Sequence, residues 1–102
     1  MSNKIVVQFE VRNLAIMKDT LKDLGLEFTE RDSILDIQRS RYPISINAET
    51  GEISFDSDQT REVNNIKQNY MANFFRDRAI KEGMKITQEV NAQGEIEIYL
   101  SN

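Results

Sequence analysis

The chain of 102 residues contains no cysteine, no histidine and no tryptophan, and it has one proline. Each absence closes a route. Without cysteine there is no disulfide framework and no thiolate nucleophile. Without histidine the chain lacks the side chain best suited to proton transfer near neutral pH, and the commonest metal ligand. Soft and borderline metals lose both imidazole and thiolate. No apolar run approaches the ~20 residues of a membrane-spanning helix. The opening Met1-Ser2-Asn3-Lys4 runs straight into a strand pattern with no apolar signal-peptide core, which reads as a cytoplasmic protein away from membranes. Chemistry is left to carboxylate, lysine, tyrosine and hydroxyl groups. The chain therefore reads as a non-enzyme with no cofactor, no catalytic residues and no metal site.

What is present is an ordinary globular composition, 39% hydrophobic and 29% charged. The length suits one core and is too short for two, so residues 1–102 read as a single α+β domain. One pattern occurs twice. Val6-Val7-Gln8-Phe9-Glu10-Val11 leads into a helical stretch that ends Leu24-Gly25-Leu26-Glu27-Phe28. Glu52-Ile53-Ser54-Phe55-Asp56 leads into a longer one that ends Glu82-Gly83-Met84-Lys85-Ile86. Each copy is strand, amphipathic helix, glycine stop, strand. The expected fold is ferredoxin-like, a split βαβ arrangement with a mostly antiparallel sheet, two helices on one face and a C-terminal β-hairpin.

The local signals are specific. Residues 5–11 alternate Ile5, Val7, Phe9 and Val11 against Val6, Gln8 and Glu10, a half-buried strand. Asn13 is placed to cap the first helix, whose apolar stripe is Leu14, Met17, Leu21 and Leu24. Residues 32–38 read as one strand with Leu35 and Ile37 inward. Ile44 and Ile46, a turn at 47–51, then Ile53 and Phe55 predict a hairpin. Ser57 or Asp58 is the expected cap of a second helix over 59–82. A terminal hairpin turns at 91–94 and points Ile96, Ile98 and Leu100 inward, with Glu95, Glu97 and Tyr99 outward.

Three clusters carry possible function. Glu52, Asp56 and Asp58 offer hard oxygen ligands, but the twelve-residue calcium-loop pattern is missing, and carboxylates before a helix more often cap it. Arg39, Arg41 and Tyr42 form a basic loop beside a ring; with Arg61 it is the alternative, nucleic-acid reading. The net charge of −4 makes nucleic acid a poor partner overall. An RNA-binding sheet needs exposed rings, whereas the expected exposed face is Gln8, Glu10, Glu89, Glu95, Glu97 and one ring, Tyr99. The second helix is the strongest candidate. Val63, Ile66, Tyr70 and Phe74 make one stripe, and Met71, Phe75 and Ala79 make another beside it, wider than one sheet-facing stripe needs. Such a strip is either core or an association surface. The leading reading is a protein-interaction or adaptor module, binding a partner or itself as a homodimer through Met71, Phe75, Arg76 and Tyr99.

The stretch Val63-Asn64-Asn65-Ile66-Lys67-Gln68-Asn69-Tyr70, the Lys81-Glu82-Gly83-Met84 stop and Asn91-Ala92-Gln93-Gly94-Glu95-Ile96-Glu97-Ile98 carry a resemblance. So does the opening strand with Leu24-Gly25-Leu26-Glu27. They resemble the conserved hypothetical chloroplast reading frame thirty-five type family, small proteins of plastids, cyanobacteria, other bacteria and phages. The resemblance covers most of the chain and rests on packing and turn residues. Members often carry a tryptophan near the end of the central hairpin, which this chain lacks, and here the segment 31–42 is short and polar. The resemblance implies no catalytic residues; association of some members with ATPase-type neighbours implies an accessory or adaptor role.

Overall fold

Period-two alternation and two glycine-stopped helices produce an α+β fold in the computed structural model, which describes residues 3–38, 42–83 and 85–101. The elements are β1 (Lys4–Gln8), α1 (Leu14–Asp23), β2 (Phe28–Arg31), β3 (Ile34–Ile37), β4 (Ile44–Asn47), β5 (Glu52–Asp56), a single 3-10 turn (Ser57–Gln59), α2 (Thr60–Lys81), β6 (Lys85–Val90) and β7 (Ile96–Ser101). Five strands form one antiparallel sheet in the order β1-β5-β4-β3-β2. β6 and β7 pair antiparallel as a separate two-stranded sheet.

Directly opposed residues share a face of the sheet. The register Val7↔Ile53, Ile53↔Ile46, Ile46↔Leu35 therefore runs one apolar row across four strands, and Ile5↔Phe55 and Ile44↔Ile37↔Phe28 add to that face. Met17 and Leu21 from α1 and Val63, Ile66 and Tyr70 from α2 complete the core against it, each 1% exposed or less. The opposite face carries Lys4, Gln8, Glu52, Ser54, Ser45, Asn47, Asp36 and Thr29, with the half-exposed Val6 as its apolar member on β1. No aromatic residue of β1–β5 lies on that outer face.

Several local expectations hold and others shift. The Asn13 Oδ1 accepts from the Ile16 N–H at 3.1 Å, the expected cap. Residues 32–38 are not one strand: Asp32 takes a left-handed φ of 56° and turns the chain between β2 and β3. Short polar side chains tolerate that conformation. Neither Ser57 nor Asp58 caps α2: its N-cap is Gln59, which makes no side-chain cap bond, and the side-chain cap sits on the 3-10 turn before it. The Asp56 carboxylate accepts from the Asp58 N–H at 2.9 Å, and Gln59 Oε1 accepts from the Asp56 N–H at 2.8 Å. The last residue of β5 thus closes a reciprocal capping box over the 3-10 turn. Glu89, Glu95, Glu97 and Tyr99 belong to the terminal hairpin, not to the outer face of the main sheet, because β6 pairs with β7 alone.

Gly51 closes the β4–β5 turn at φ +79°, and a Cβ there would meet the Phe9 carbonyl oxygen at 3.3 Å. Its own carbonyl accepts from the Phe9 N–H, so the end of β1 is held against this turn. The Tyr70 hydroxyl accepts from the Arg12 N–H at 2.8 Å and the Asn13 N–H at 3.1 Å, tying α2 to the β1–α1 junction. Tyr70→Phe keeps the ring and strands two amides. The expected result is a loss of about 1–3 kcal/mol, read as a lower urea midpoint with an unchanged slope.

Candidate partner-binding groove

α2 has 22 residues and is about 33 Å long, whereas the sheet strands of four or five residues span about 13–17 Å. The helix therefore outruns the sheet. The terminal hairpin packs against it, and the chain's second apolar stripe lies where the two bodies meet. Val63, Ile66, Tyr70, Ala72 and Ala79 are buried, but Met71 is 37% and Phe75 41% exposed. Hairpin packing thus covers the stripe only in part.

Met71 and Phe75 separate two adjoining clefts. One, of about 420 Å³, is walled by Phe9, Lys67, Ala72, Ile96 and Ile98. The other, of about 360 Å³, is walled by Phe9, Tyr70 and Phe74, with Glu10, Arg12 and Arg78 at its margin. Phe9 is common to both, held edge-on against Tyr70 with ring centroids 5.5 Å apart. Phe75 meets Phe74 edge-to-face at 5.9 Å. The Lys67 ammonium lies 5.8 Å from the Phe9 ring centroid, so its charge rests over apolar surface. Among the described residues, no carboxylate forms an ion pair with Lys67 or Arg76. Arg12 pairs with Glu10 at 3.3 Å and Arg78 with Glu82 at 3.4 Å, both on open surface.

The four residues expected to bind a partner are not one constellation. Met71 and Phe75 line the groove. Arg76 instead fastens its wall: its guanidinium donates to Asn73 Oδ1 at 2.8 Å and to Gln88 Oε1 on β6. Tyr99 lies on the far side of the hairpin, since Ile96 and Ile98 take the helix-facing positions and strand side chains alternate. There its hydroxyl donates to the Glu97 carboxylate, which also accepts from Asn91 Nδ2 at 3.1 Å. Phe9, Arg12, Lys67 and Arg78 were not singled out by sequence. For Lys67 and Arg78 one signal was present: α2 carries Arg61, Lys67, Arg76, Arg78 and Lys81 against only Glu62 and Asp77, in a chain of net charge −4.

Of the basic-loop residues, Arg39 and Arg41 lie outside the described residues. Tyr42 is 42% exposed beside Lys4, Ser45 and Ser54 on the outer sheet face, and its carbonyl accepts from Gln59 Nε2. Arg61 lines a different, polar depression with Asp58, Asn64 and Asn65. Glu52 and Asp56 sit at opposite ends of β5, about 13 Å apart, and Asp56 is committed to its cap. Among the described residues, no group of three such side chains is placed to hold a metal ion. Nor, among them, is any helix long and apolar enough to cross a membrane. No family model, curated protein or solved structure matches the chain.

The Tyr99 hydrogen bond holds Glu97 below its ordinary value of 4.5, with Asn91 acting in the same direction. The same bond raises Tyr99 above 10.0, helped by the charges of Glu97 and Glu89. The sign follows for each group. The contribution of Glu97 is present above 4.5 and is lost as pH falls through its lowered value. That of Tyr99 is present below 10.0 and is lost as pH rises through its raised value. Glu97→Gln is therefore expected to bring the Tyr99 phenol midpoint down toward 10.0, followed by NMR of the ring carbons. A midpoint unmoved by the substitution would show that the pair does not form in solution.

Proposed function

We propose that the chain is a non-enzymatic interaction module that binds a protein partner, or a second copy of itself, through the groove between α2 and the terminal hairpin. One observation carries this reading: Met71 and Phe75 stay more than a third exposed within a concave apolar surface while Val63, Ile66 and Tyr70 of the neighbouring stripe are buried. Methionine and aromatic side chains are the types enriched in interface cores, and a charged margin around them is the usual rim. The mechanism is burial of Met71 and Phe75 by the partner, each worth up to about 1.5–3 kcal/mol when fully covered.

A second reading, nucleic-acid accessory protein, draws on the cationic excess of α2, in which Arg61 takes part. It predicts a DNA or RNA complex that weakens steeply with salt.

The test is solution mass by light scattering at two salt concentrations, together with partner capture, on the wild type and Phe75→Asp. The variant is expected to lose association by at least about tenfold, or ~1.4 kcal/mol, with its circular dichroism unchanged. Global loss of structure in Phe75→Asp would assign Phe75 to the core and overturn the reading.

A further inference from the structure

We infer that the occupant of the groove is an acidic amphipathic helix of a partner protein, a conclusion that rests on the interaction reading above and gives the partner its chemistry. The first argument is charge. α2 carries an excess of three positive charges in a chain whose net charge is −4. Two of its cations, Lys67 and Arg78, line the clefts on either side of Met71 and Phe75. Lys67 and Arg76 have no carboxylate partner among the described residues. Arg12 and Arg78 are held only by exposed pairs, which contribute about 0–1 kcal/mol and exchange readily for an incoming carboxylate.

The second argument is shape. Met71 and Phe75 are one helical turn apart, and the cations Lys67 and Arg78 bracket them along about 16 Å of α2, three turns of a parallel-lying helix. The cleft that holds Lys67 is walled by side chains of α2 on one side and by Ile96 and Ile98 on the other, and the adjoining cleft that holds Arg78 is walled by α2 and the end of β1. Such a trough takes apolar knobs spaced i, i+3 or i+4, and i+7, with acidic flanks reaching the margin. A bilayer would meet only the convex rim.

Two other occupants fit less well. Nucleic acid needs open ring faces for stacking, but Lys67 lies over Phe9. A symmetric second copy would set one cationic α2 against another.

The experiment selects displayed random peptides of about 18 residues, five helical turns, against the intact chain. Selected peptides are then synthesised and titrated by fluorescence anisotropy. The expected peptides are acidic, with apolar residues at helical spacing. Their affinity falls at least about tenfold for the double variant Lys67→Glu, Arg78→Glu, falls with salt, and is lost in Phe75→Asp. A lysine-for-glutamate version of the same peptide is expected to recover binding to the double variant. Circular dichroism and urea midpoints confirm that the variants fold. Peptides that need Phe75 but are neutral or basic would overturn the acidic partner while leaving the interaction module standing. No Phe75-dependent peptide of any composition would overturn both. A dimer dispersed by Phe75→Asp would replace the peptide with a second copy. Tighter, Phe75-dependent binding of labelled oligothymidylate would replace it with nucleic acid.

Discussion

The hydroxyl of Tyr70 ties together the parts of this protein that sequence keeps far apart. It accepts from two consecutive amides at the β1–α1 junction, one of them on the residue whose own side chain caps α1. A single oxygen thereby sets where α1 begins relative to the middle of α2. The same ring packs edge-on against Phe9, so the floor of the groove is positioned from the core side. A second tie lies further along the helix pair, where Asn73 Nδ2 donates to the Thr20 hydroxyl at 2.9 Å and that hydroxyl donates to the Ile16 carbonyl at 2.8 Å. Buried polar groups that are fully satisfied rigidify a core in this way, and no buried side-chain donor or acceptor among the described residues lacks a partner.

Anchored at its middle, α2 does two jobs along its length. Val63, Ile66 and Tyr70 belong to the sheet core. Beyond them, the helix offers Met71, Ala72 and Phe75 to the side where the hairpin stands. On this side Ala72 is buried, while Met71 and Phe75 stay partly open beside Ile96 and Ile98 of β7. Cations gather on this helix while the acidic groups Glu89, Glu95 and Glu97 sit on the hairpin, so the helix and its neighbour differ in charge as well as in shape.

Sequence made the local elements legible wherever one side chain alone decides geometry. Asn13 announces a cap, Gly25 and Gly83 stop helices at positive φ, and the alternation in β1, β4, β5 and β7 assigns each face. Asp32 hid the β2–β3 turn because its left-handed backbone is borne by aspartate and not by the glycine that would signal it. Strand order was hidden too, since β1 joins β5 across more than forty residues and no local pattern encodes that pairing. The groove was half legible. The double stripe on α2 is visible, but whether it is covered depends on how far the hairpin reaches. The alternation that turns Ile96 and Ile98 inward already sends Tyr99 to the other side, so its grouping with Met71 and Phe75 ran against its own strand pattern.

One wall of the groove is a two-stranded sheet, and such a hairpin is marginal by itself. Arg76 fastens it to α2, and the turn between its strands is organised by Asn91, whose Oδ1 accepts from the Gln93 and Glu95 amides, with Gly94 at φ +81°. An element of this kind opens locally at a free energy below that of the whole domain. Apparent affinity for anything seated in the groove is scaled by the fraction of molecules with the wall in place. Substitutions in the Asn91–Gly94 turn would therefore act from a distance, changing the fraction of molecules with this wall in place without altering a residue that lines the two clefts.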